Sequence, residues 1–227
     1  MIITDFKRPP KGLVSEFRKL FTGCISDAMN KGGAMCSAIK PLVKQVKVAG
    51  PASTVWTYPG DIMTLVKAID MAQKGDIVVV DGRGFTEAAI WGELLTRSAI
   101  LRGIEAVIID GAVRDIADIR KLRYPVFARV AIPCNGTMGF VGNINVPIQC
   151  GGILVNPGDI VLGDDDGVVV VPQQQAKEVL EDAKNIAKAE VKIKDLIKKG
   201  KTVGKILNID TVLGELAKKK PVQLEVK

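Results

Sequence analysis

The chain has 227 residues, 47% of them apolar but only 4% aromatic, so one large α/β domain must pack its core from Val, Ile, Leu and Ala. Its formal charge is +7, yet eight lysines from Lys198 onward face only Asp210, Glu215 and Glu225; the body is near neutral, no aromatic-studded basic strand is present, and nucleic-acid binding draws no support. The count of histidines is 0, which removes Ser-His-Asp and Cys-His catalysis and HExxH zinc sites together, and restricts any metal to oxygen ligands and hence to Mg²⁺, Mn²⁺ or Ca²⁺.

In chain order, Leu13 to Phe21 has helical apolar spacing, and Ser26-Asp27 is placed to cap a second short helix toward Asn30. Val46 to Val48 and Thr54 to Tyr58 read as strands, and Pro59-Gly60-Asp61 turns into a helix over Ile62 to Ala72, closed by Lys74-Gly75-Asp76. A strand over Ile77 to Val80 ends at Asp81-Gly82; Ala88 to Trp91 is a further short strand, and Gly92 opens a helix reaching Arg102. Ala106 to Ile109, ending in Asp110-Gly111, then helix Ile116 to Leu122 and strand Pro125 to Arg129 repeat the strand-loop-helix unit, which favours a parallel sheet with ligands at its carboxyl ends. After Val130 come short β runs, Val141 to Pro147, Ile153 to Val155 and Ile160 to Leu162, and Asp164-Asp165-Asp166-Gly167 turns into Val168 to Val171. Gln173 to Lys199 carries a long amphipathic helix ended by Gly200, and a last helix spans Asp210 to Lys219. The expected division is a single domain over 1–200 and a basic extension over 201–227, packed on the body or on a neighbouring subunit.

No apolar run is long enough to cross a bilayer, and Met1 to Pro10 lacks the apolar stretch of a signal peptide, so a cytoplasmic location is expected. Cys24, Cys36, Cys134 and Cys150 form no CxxC pair and read as free thiols.

Arg114-Asp115 follows a buried strand and a Gly turn, where side chains reach the crevice above a parallel sheet. A guanidinium there binds a carboxylate in bidentate fashion, and the adjacent carboxylate suits Mg²⁺, which takes one or two protein carboxylates and keeps waters. The plainer alternative has Asp115 capping the helix from Ile116 while Arg114 makes a surface ion pair. Gly92-Glu93-Leu94-Leu95 stands open in the same way: its backbone amides and helix dipole suit an anion, or the glycine only lets the helix pass close to the sheet. The Asp164 to Asp166 run has no EF-hand spacing and reads as a hairpin turn. Lys67 reads as a solvated lysine on an amphipathic helix, and Gly82-Arg83-Gly84 lacks the GxxxxGK[ST] pattern of a phosphate loop.

Trp91-Gly92-Glu93-Leu94-Leu95, Val107-Ile108-Ile109-Asp110-Gly111-Ala112-Val113-Arg114-Asp115 and Pro125-Val126-Phe127-Ala128-Arg129, in this order and spacing, resemble the family of 4-hydroxy-4-methyl-2-oxoglutarate aldolases and the regulator of ribonuclease E activity A. The resemblance runs from Ser26-Asp27-Ala28 through Pro59-Gly60-Asp61 to Gly163-Asp164-Asp165-Asp166-Gly167-Val168 and Pro172. It implies a three-layer β/β/α swivelling-domain fold, here with a C-terminal helical extension, assembled as trimers or dimers of trimers with active sites between subunits. It also implies Mg²⁺- or Mn²⁺-dependent cleavage of pyruvate-yielding hydroxy-oxo-acids and decarboxylation of oxaloacetate. By position, Gly92, Glu93, Leu94 and Leu95 would contact substrate, Arg114 would bind it, and Asp115 would be the direct metal ligand. Glu93 holds the place of the family's acidic residue ahead of the arginine, often an aspartate in the aldolases, and Glu190 matches the carboxylate that a neighbouring subunit directs to metal-bound water. The Lys-rich extension departs from the pattern. A non-catalytic regulator binding a ribonuclease or another protein is the alternative, and an enzyme of an unrelated small oxo-acid is a third; no nucleotide-binding fingerprint supports a methyltransferase.

Overall fold

A computed structural model of the chain describes residues 1–218. The elements run α1 (Lys11–Phe17), α2 (Thr22–Ala28), β1 (Lys40–Pro41), β2 (Val48–Trp56), α3 (Met63–Met71), β3 (Ile77–Ala89), α4 (Glu93–Arg102), β4 (Ala106–Val113), α5 (Ile116–Leu122) and β5 (Val126–Ala131). They continue as β6 (Asn143–Ile144), β7 (Ile148–Cys150), β8 (Ile153–Val155), β9 (Ile160–Asp164), β10 (Gly167–Val171), a 3₁₀ turn (Gln173–Gln175), α6 (Ala176–Lys198), α7 (Val203–Ile206) and α8 (Ile209–Lys218). The chain divides into two units, Met1–Lys184 and Asn185–Lys227, the division falling inside α6.

In the first unit the unbroken apolar runs Ile77 to Val80 and Ala106 to Ile109 become strands buried on both faces, as parallel strands covered by helices require. The sheet order is β1-β5-β4-β3-β2-β9-β10, with β6 also on β2. β2 through β5 pair in parallel, whereas β9 and β10 form an antiparallel hairpin attached to the start of β2. The two ends of this path approach each other, and the Lys40 ammonium donates to the Asp166 carbonyl across the gap. The result is a nearly closed barrel. Its interior is filled by Ile77, Val79, Ile108, Phe127, Val161, Val168 and Val170, with the β7–β8 hairpin adding Ile148, Cys150 and Val155. That hairpin turns through Gly151 and Gly152, at φ +57° and +83°, a pair of left-handed positions natural to glycine.

Outside the barrel, α3, α4 and α5 cover Val78, Val80, Val107 and Ile109 through Leu65, Ile69, Ala99 and Ile119. On the other side α1, α2 and the first turns of α6 cover Leu162, Val169 and Val171 through Phe17, Ile25, Val179 and Leu180. The expected α/β fold is thus met by a nearly closed, barrel-like sheet with helices packed against it.

Several boundaries differ from the sequence expectation. The strands expected over Val46 to Val48 and Thr54 to Tyr58 are one strand, β2, because its first half pairs with β9 and its second half with β3. Ile77 to Val80 and the start of the expected strand Ala88 to Trp91 likewise merge into β3, which ends at Ala89 and leaves Ile90 and Trp91 in the connection to α4; its ladder with β4 resumes after register shifts around Gly82-Arg83-Gly84. Arg83 and Gly84 lie at φ +62° and +67°, and the Asp81 carboxylate accepts the Arg83 N–H at 2.9 Å, so this loop is a strand irregularity. Ser26-Asp27 lies inside α2 rather than at its start. That helix begins at Thr22, whose N–H and hydroxyl donate to the Asp164 carboxylate at 2.8 and 2.7 Å, a cap supplied from a distant hairpin and invisible to local pattern.

The second unit continues α6 from Asn185 and adds α7 and α8. Ile209, Val212, Leu213 and Leu216 lie exposed at helical spacing on α8. The expected end of this helix at Lys219, and residues 219–227 of the extension, lie outside the described residues. No described helix is long and apolar enough to cross a membrane.

Candidate active site

Two strand-to-helix connections meet at the carboxyl ends of the parallel strands. After β3 the chain passes through Ile90-Trp91-Gly92 into α4; after β4 it passes through Arg114-Asp115 into α5. Trp91 is buried, and its indole N–H donates to Thr96 Oγ1 at 2.8 Å while that hydroxyl donates to the Gly92 carbonyl at 2.9 Å. These bonds lock the first connection beneath the first turn of α4. Two further hydrogen bonds tie the connections together: Arg114 N–H donates to the Trp91 carbonyl at 2.9 Å, and Glu93 N–H donates to Asp115 Oδ2 at 3.0 Å.

Asp115 is therefore a cap, but not of its own helix. It stands at the N-cap of α5 with φ +58° and ψ +36° and makes no side-chain bond to that helix. The left-handed backbone, adopted by Asp more readily than by most residues, costs about 1–2 kcal/mol and swings the carboxylate to the amino end of α4. There it meets the helix dipole and one of the amide groups that no intrahelical carbonyl satisfies. Leu94 and Leu95, which follow in the same first turn of α4, line the adjoining cavity. Gly92 is required by this approach, since a Cβ on it would come within 2.5 Å of Asp115 Oδ2 and 3.2 Å of Arg114 Cγ.

The cavity measures about 210 Å³ and is lined by Gly92, Leu94, Leu95, Arg114 and Asp115, by Trp91, which the sequence marks only as part of a motif, and by Ile62, Ile90 and Asn135, which sequence reasoning missed. Asn135 arrives because the loop after β5 runs beside the end of β3, with Ala89 N–H on the Cys134 carbonyl at 2.8 Å and Gly136 N–H on the Ala89 carbonyl at 2.9 Å. Nothing local in the sequence around Asn135 announces that docking. A second depression of about 340 Å³, lined by Ile116, Ala131, Ile132 and Pro133, opens on Arg114 and Asp115 as well. The pair thus stands between two concavities, each side chain little more than one-third exposed, with Arg114 Nε 3.6 Å from Asp115 Oδ2.

Glu93 reaches this cluster through its main chain. Its carboxylate pairs instead with Arg97, one turn along α4, with Nε and the terminal nitrogen each 2.8 Å from Oε1. Glu190 lies in the second unit on α6, where it contacts Lys194 at 3.4 Å. Among the described residues no group of three or more His, Cys, Asp or Glu is gathered as a metal cage. The acidic run is accounted for structurally: Asp164 caps α2 and Asp165 accepts the Gln45 and Val46 amides at 3.1 and 3.3 Å.

A buried polar cluster behind the rim also escaped the sequence reading. Asp110 pairs with Arg129 and accepts the Gly151 N–H at 2.7 Å. Burial pushes the Asp81 carboxyl above the usual carboxylate range, assisted by the charge of Asp110, despite the opposing hydrogen bond from Arg83. Burial also pushes the Cys150 thiol up, consistent with an inert internal cysteine.

Fold and rim together define an α/β protein with a small cleft, lined by Arg114 and Asp115, at the carboxyl ends of parallel strands. Residues 22–170 match the RraA-like family model, described as Aldolase/RraA, and the chain belongs to that family. It is 41% identical to a putative 4-hydroxy-4-methyl-2-oxoglutarate aldolase of Halalkalibacterium halodurans over 75% of this chain and 81% of the relative. It is 28% identical to the 4-hydroxy-4-methyl-2-oxoglutarate aldolase of Thermus thermophilus over 66% of this chain and 90% of that one. The crystal structure of Streptomyces coelicolor RraAS2, described as an unusual member of the RNase ES inhibitor RraA protein family, superposes with a TM-score of 0.75 at 28% identity, covering 82% of this chain and 98% of that one.

Proposed function

We propose that the protein is a divalent-metal-dependent carbon–carbon lyase that cleaves hydroxy-oxo-acids of the 4-hydroxy-4-methyl-2-oxoglutarate type to pyruvate and decarboxylates oxaloacetate. The observation that carries this reading is the joining of Arg114, Asp115 and the amino end of α4 around one small cavity. The aldolase names among the relatives support the same chemistry.

The donor set suits Mg²⁺ or Mn²⁺ held by few protein ligands. Both contacts of Asp115 fall on Oδ2, which leaves Oδ1 for a cation, and the open cavity leaves room for the waters and substrate oxygens that a hard ion retains. Such an ion would supply electrostatic stabilisation of the negative charge that develops on the pyruvyl oxygen. The rest falls to the chain. Arg114 grips the substrate carboxylate, and the Leu94 and Leu95 amides with the α4 dipole favour the anionic head lying against them. Trp91, Ile90 and Ile62 wall the cavity and restrict water. With no histidine available, the substrate hydroxyl proton goes to a carboxylate, and Glu93, on the first turn of α4, takes that role through a water once it turns from Arg97. Oxaloacetate loses CO₂ without that proton transfer, so decarboxylation depends less on Glu93 than aldol cleavage does. In the assembled enzyme, a trimer or dimer of trimers, Glu190 of a neighbouring subunit completes the water-holding carboxylates.

The test is pyruvate release from oxaloacetate with Mg²⁺ or Mn²⁺, with and without EDTA, on wild type and Asp115→Ala. Loss of activity in both is expected; activity indifferent to both would end the metal assignment. The RNase-inhibitor description of the S. coelicolor relative supports a second reading, a regulator that binds a protein partner. A stable complex with a ribonuclease, formed equally well by Asp115→Ala and in EDTA, together with no pyruvate release, would favour it.

A further inference from the structure

A further cavity lies at the opposite, amino-terminal end of the parallel strands. It measures about 480 Å³ and is walled by Arg8 and Pro9, by one face of α1, by Ala49 and Pro51 of β2, and by Gln73 to Asp76 ahead of β3. Lys11, Val14, Ser15 and Arg18 face it together because they recur at intervals of three and four along α1. Its size lies within the roughly 300–1,000 Å³ typical of small-molecule sites.

The charges are unbalanced. Four cationic side chains line the cavity against a single carboxylate, Asp76. That carboxylate is fully engaged: Arg8 Nε and its terminal nitrogen donate to the two oxygens at 2.8 and 2.7 Å, and Gln73 N–H adds a third bond at 2.9 Å. Arg18 is held by Glu105 and by the Ala49 carbonyl at 2.8 Å. Lys11 and Lys74 have no such partner among the described residues. Lys11 opens α1, where the helix dipole disfavours a cation, so its position is not explained by the stability of the helix. The stem of Lys74 is laid against Gly103, where a Cβ would come within 2.9 Å of its Cγ. Lys11, Ser15, Gln73 and Lys74, all exposed, thus contribute polar lining to a space whose remaining walls include the apolar Pro9, Val14, Ala49 and Pro51.

We propose that this cavity binds a small organic anion, with a carboxylate or phosphate head between Lys11 and Lys74 and a short carbon body on the apolar wall. The site is separate from the Arg114-Asp115 rim. Glu105, which holds Arg18, precedes β4, and Arg114 follows it, so the two ends lie about 25 Å apart at ~3.3 Å per strand residue. Its occupant need not be a substrate of the rim.

Calorimetric titration of the full chain with citrate and, separately, with glycerol 3-phosphate, at constant ionic strength and with glycerol as the uncharged control, tests the proposal. Saturable binding of at least one anion is expected, citrate alone marking carboxylate recognition and glycerol 3-phosphate alone marking phosphate recognition. Binding should weaken at least tenfold in Lys11→Glu/Lys74→Glu and in the neutral Lys11→Met/Lys74→Met, and persist in Lys44→Glu/Lys67→Glu, which carries the same charge change elsewhere. It should also persist in Arg114→Ala, which separates this site from the proposed catalytic one. Absence of saturable binding, equal weakening in the Lys44/Lys67 variant, or loss in Arg114→Ala would each overturn it.

Discussion

Adding one methyl group at Gly92 probes the candidate site without replacing any of its polar side chains. Gly92 has φ −161° and ψ −164°, extended backbone open to any residue, so the effect of Gly92→Ala is steric. Its Cβ would lie 2.5 Å from Asp115 Oδ2, whereas non-bonded heavy atoms settle near 3.5 Å, so the carboxylate must retreat by about 1 Å. A displacement of that size in a reacting constellation costs about 100-fold, or about 2.7 kcal/mol of barrier. The retreat also strains the 3.0 Å bond from Glu93 N–H; for a carboxylate that is partly exposed the loss is about 1 kcal/mol, a fall in Tm of about 2–4 °C. The expected result is a protein that stays folded, with kcat/KM for oxaloacetate reduced about 100-fold in a lactate dehydrogenase-coupled assay. Gly23→Ala is the control, because a Cβ there meets nothing within 4 Å. Wild-type kcat/KM in Gly92→Ala would refute the placement of Asp115 at the reacting centre.

Arg114→Lys keeps the charge but loses the planar fork, so KM for oxaloacetate should rise by at least about tenfold, the equivalent of ~1.4 kcal/mol, with kcat less affected; an unchanged KM would remove Arg114 as the carboxylate grip. Asp81→Asn tests the buried cluster. Because burial raises the folded pKa of Asp81 above its unfolded value, the ionised carboxylate destabilises the fold above that pKa, and the cost fades as pH falls through it. Asn still accepts the Arg83 N–H, so the variant should melt higher than wild type at pH 7.5, with the difference closing in the acid range; a lower Tm at pH 7.5 would contradict this assignment.

The legible parts of the fold were those written in local pattern. Helix α4 begins where Gly92 stops being extended, and α5 spans the residues its apolar spacing implied, because capping and periodicity are short-range signals. The strand breaks expected between Val48 and Thr54 and at Asp81-Gly82 failed because sheet pairing continues through them, a tertiary matter that glycine and proline content does not reveal. Arg114 and Asp115 could be picked out by position after a buried strand. The partner of Asp115 could not, since its reach to α4 depends on a left-handed backbone that no residue pattern specifies. Asn135 and the Asp81–Asp110–Arg129 cluster were hidden for a similar reason: each is assembled from loops or strands far apart in the chain.

Strand β2 belongs to two neighbourhoods at once, and this bears on the order in which the barrel can be assembled. Its pairing with β3 joins Ala52 to Ile77, whereas its pairing with β9 joins Gly50 to Val161, a loop about four times longer and so costlier to close by about 1.2 kcal/mol. The parallel strands that carry the Arg114-Asp115 rim are linked by short connections and reach their partners first in entropic terms. Sealing by β9 and β10 gains its contacts only after that larger closure cost is met, which makes the seam between Lys40 and Asp166 the natural place for the barrel to open while the rim stays intact.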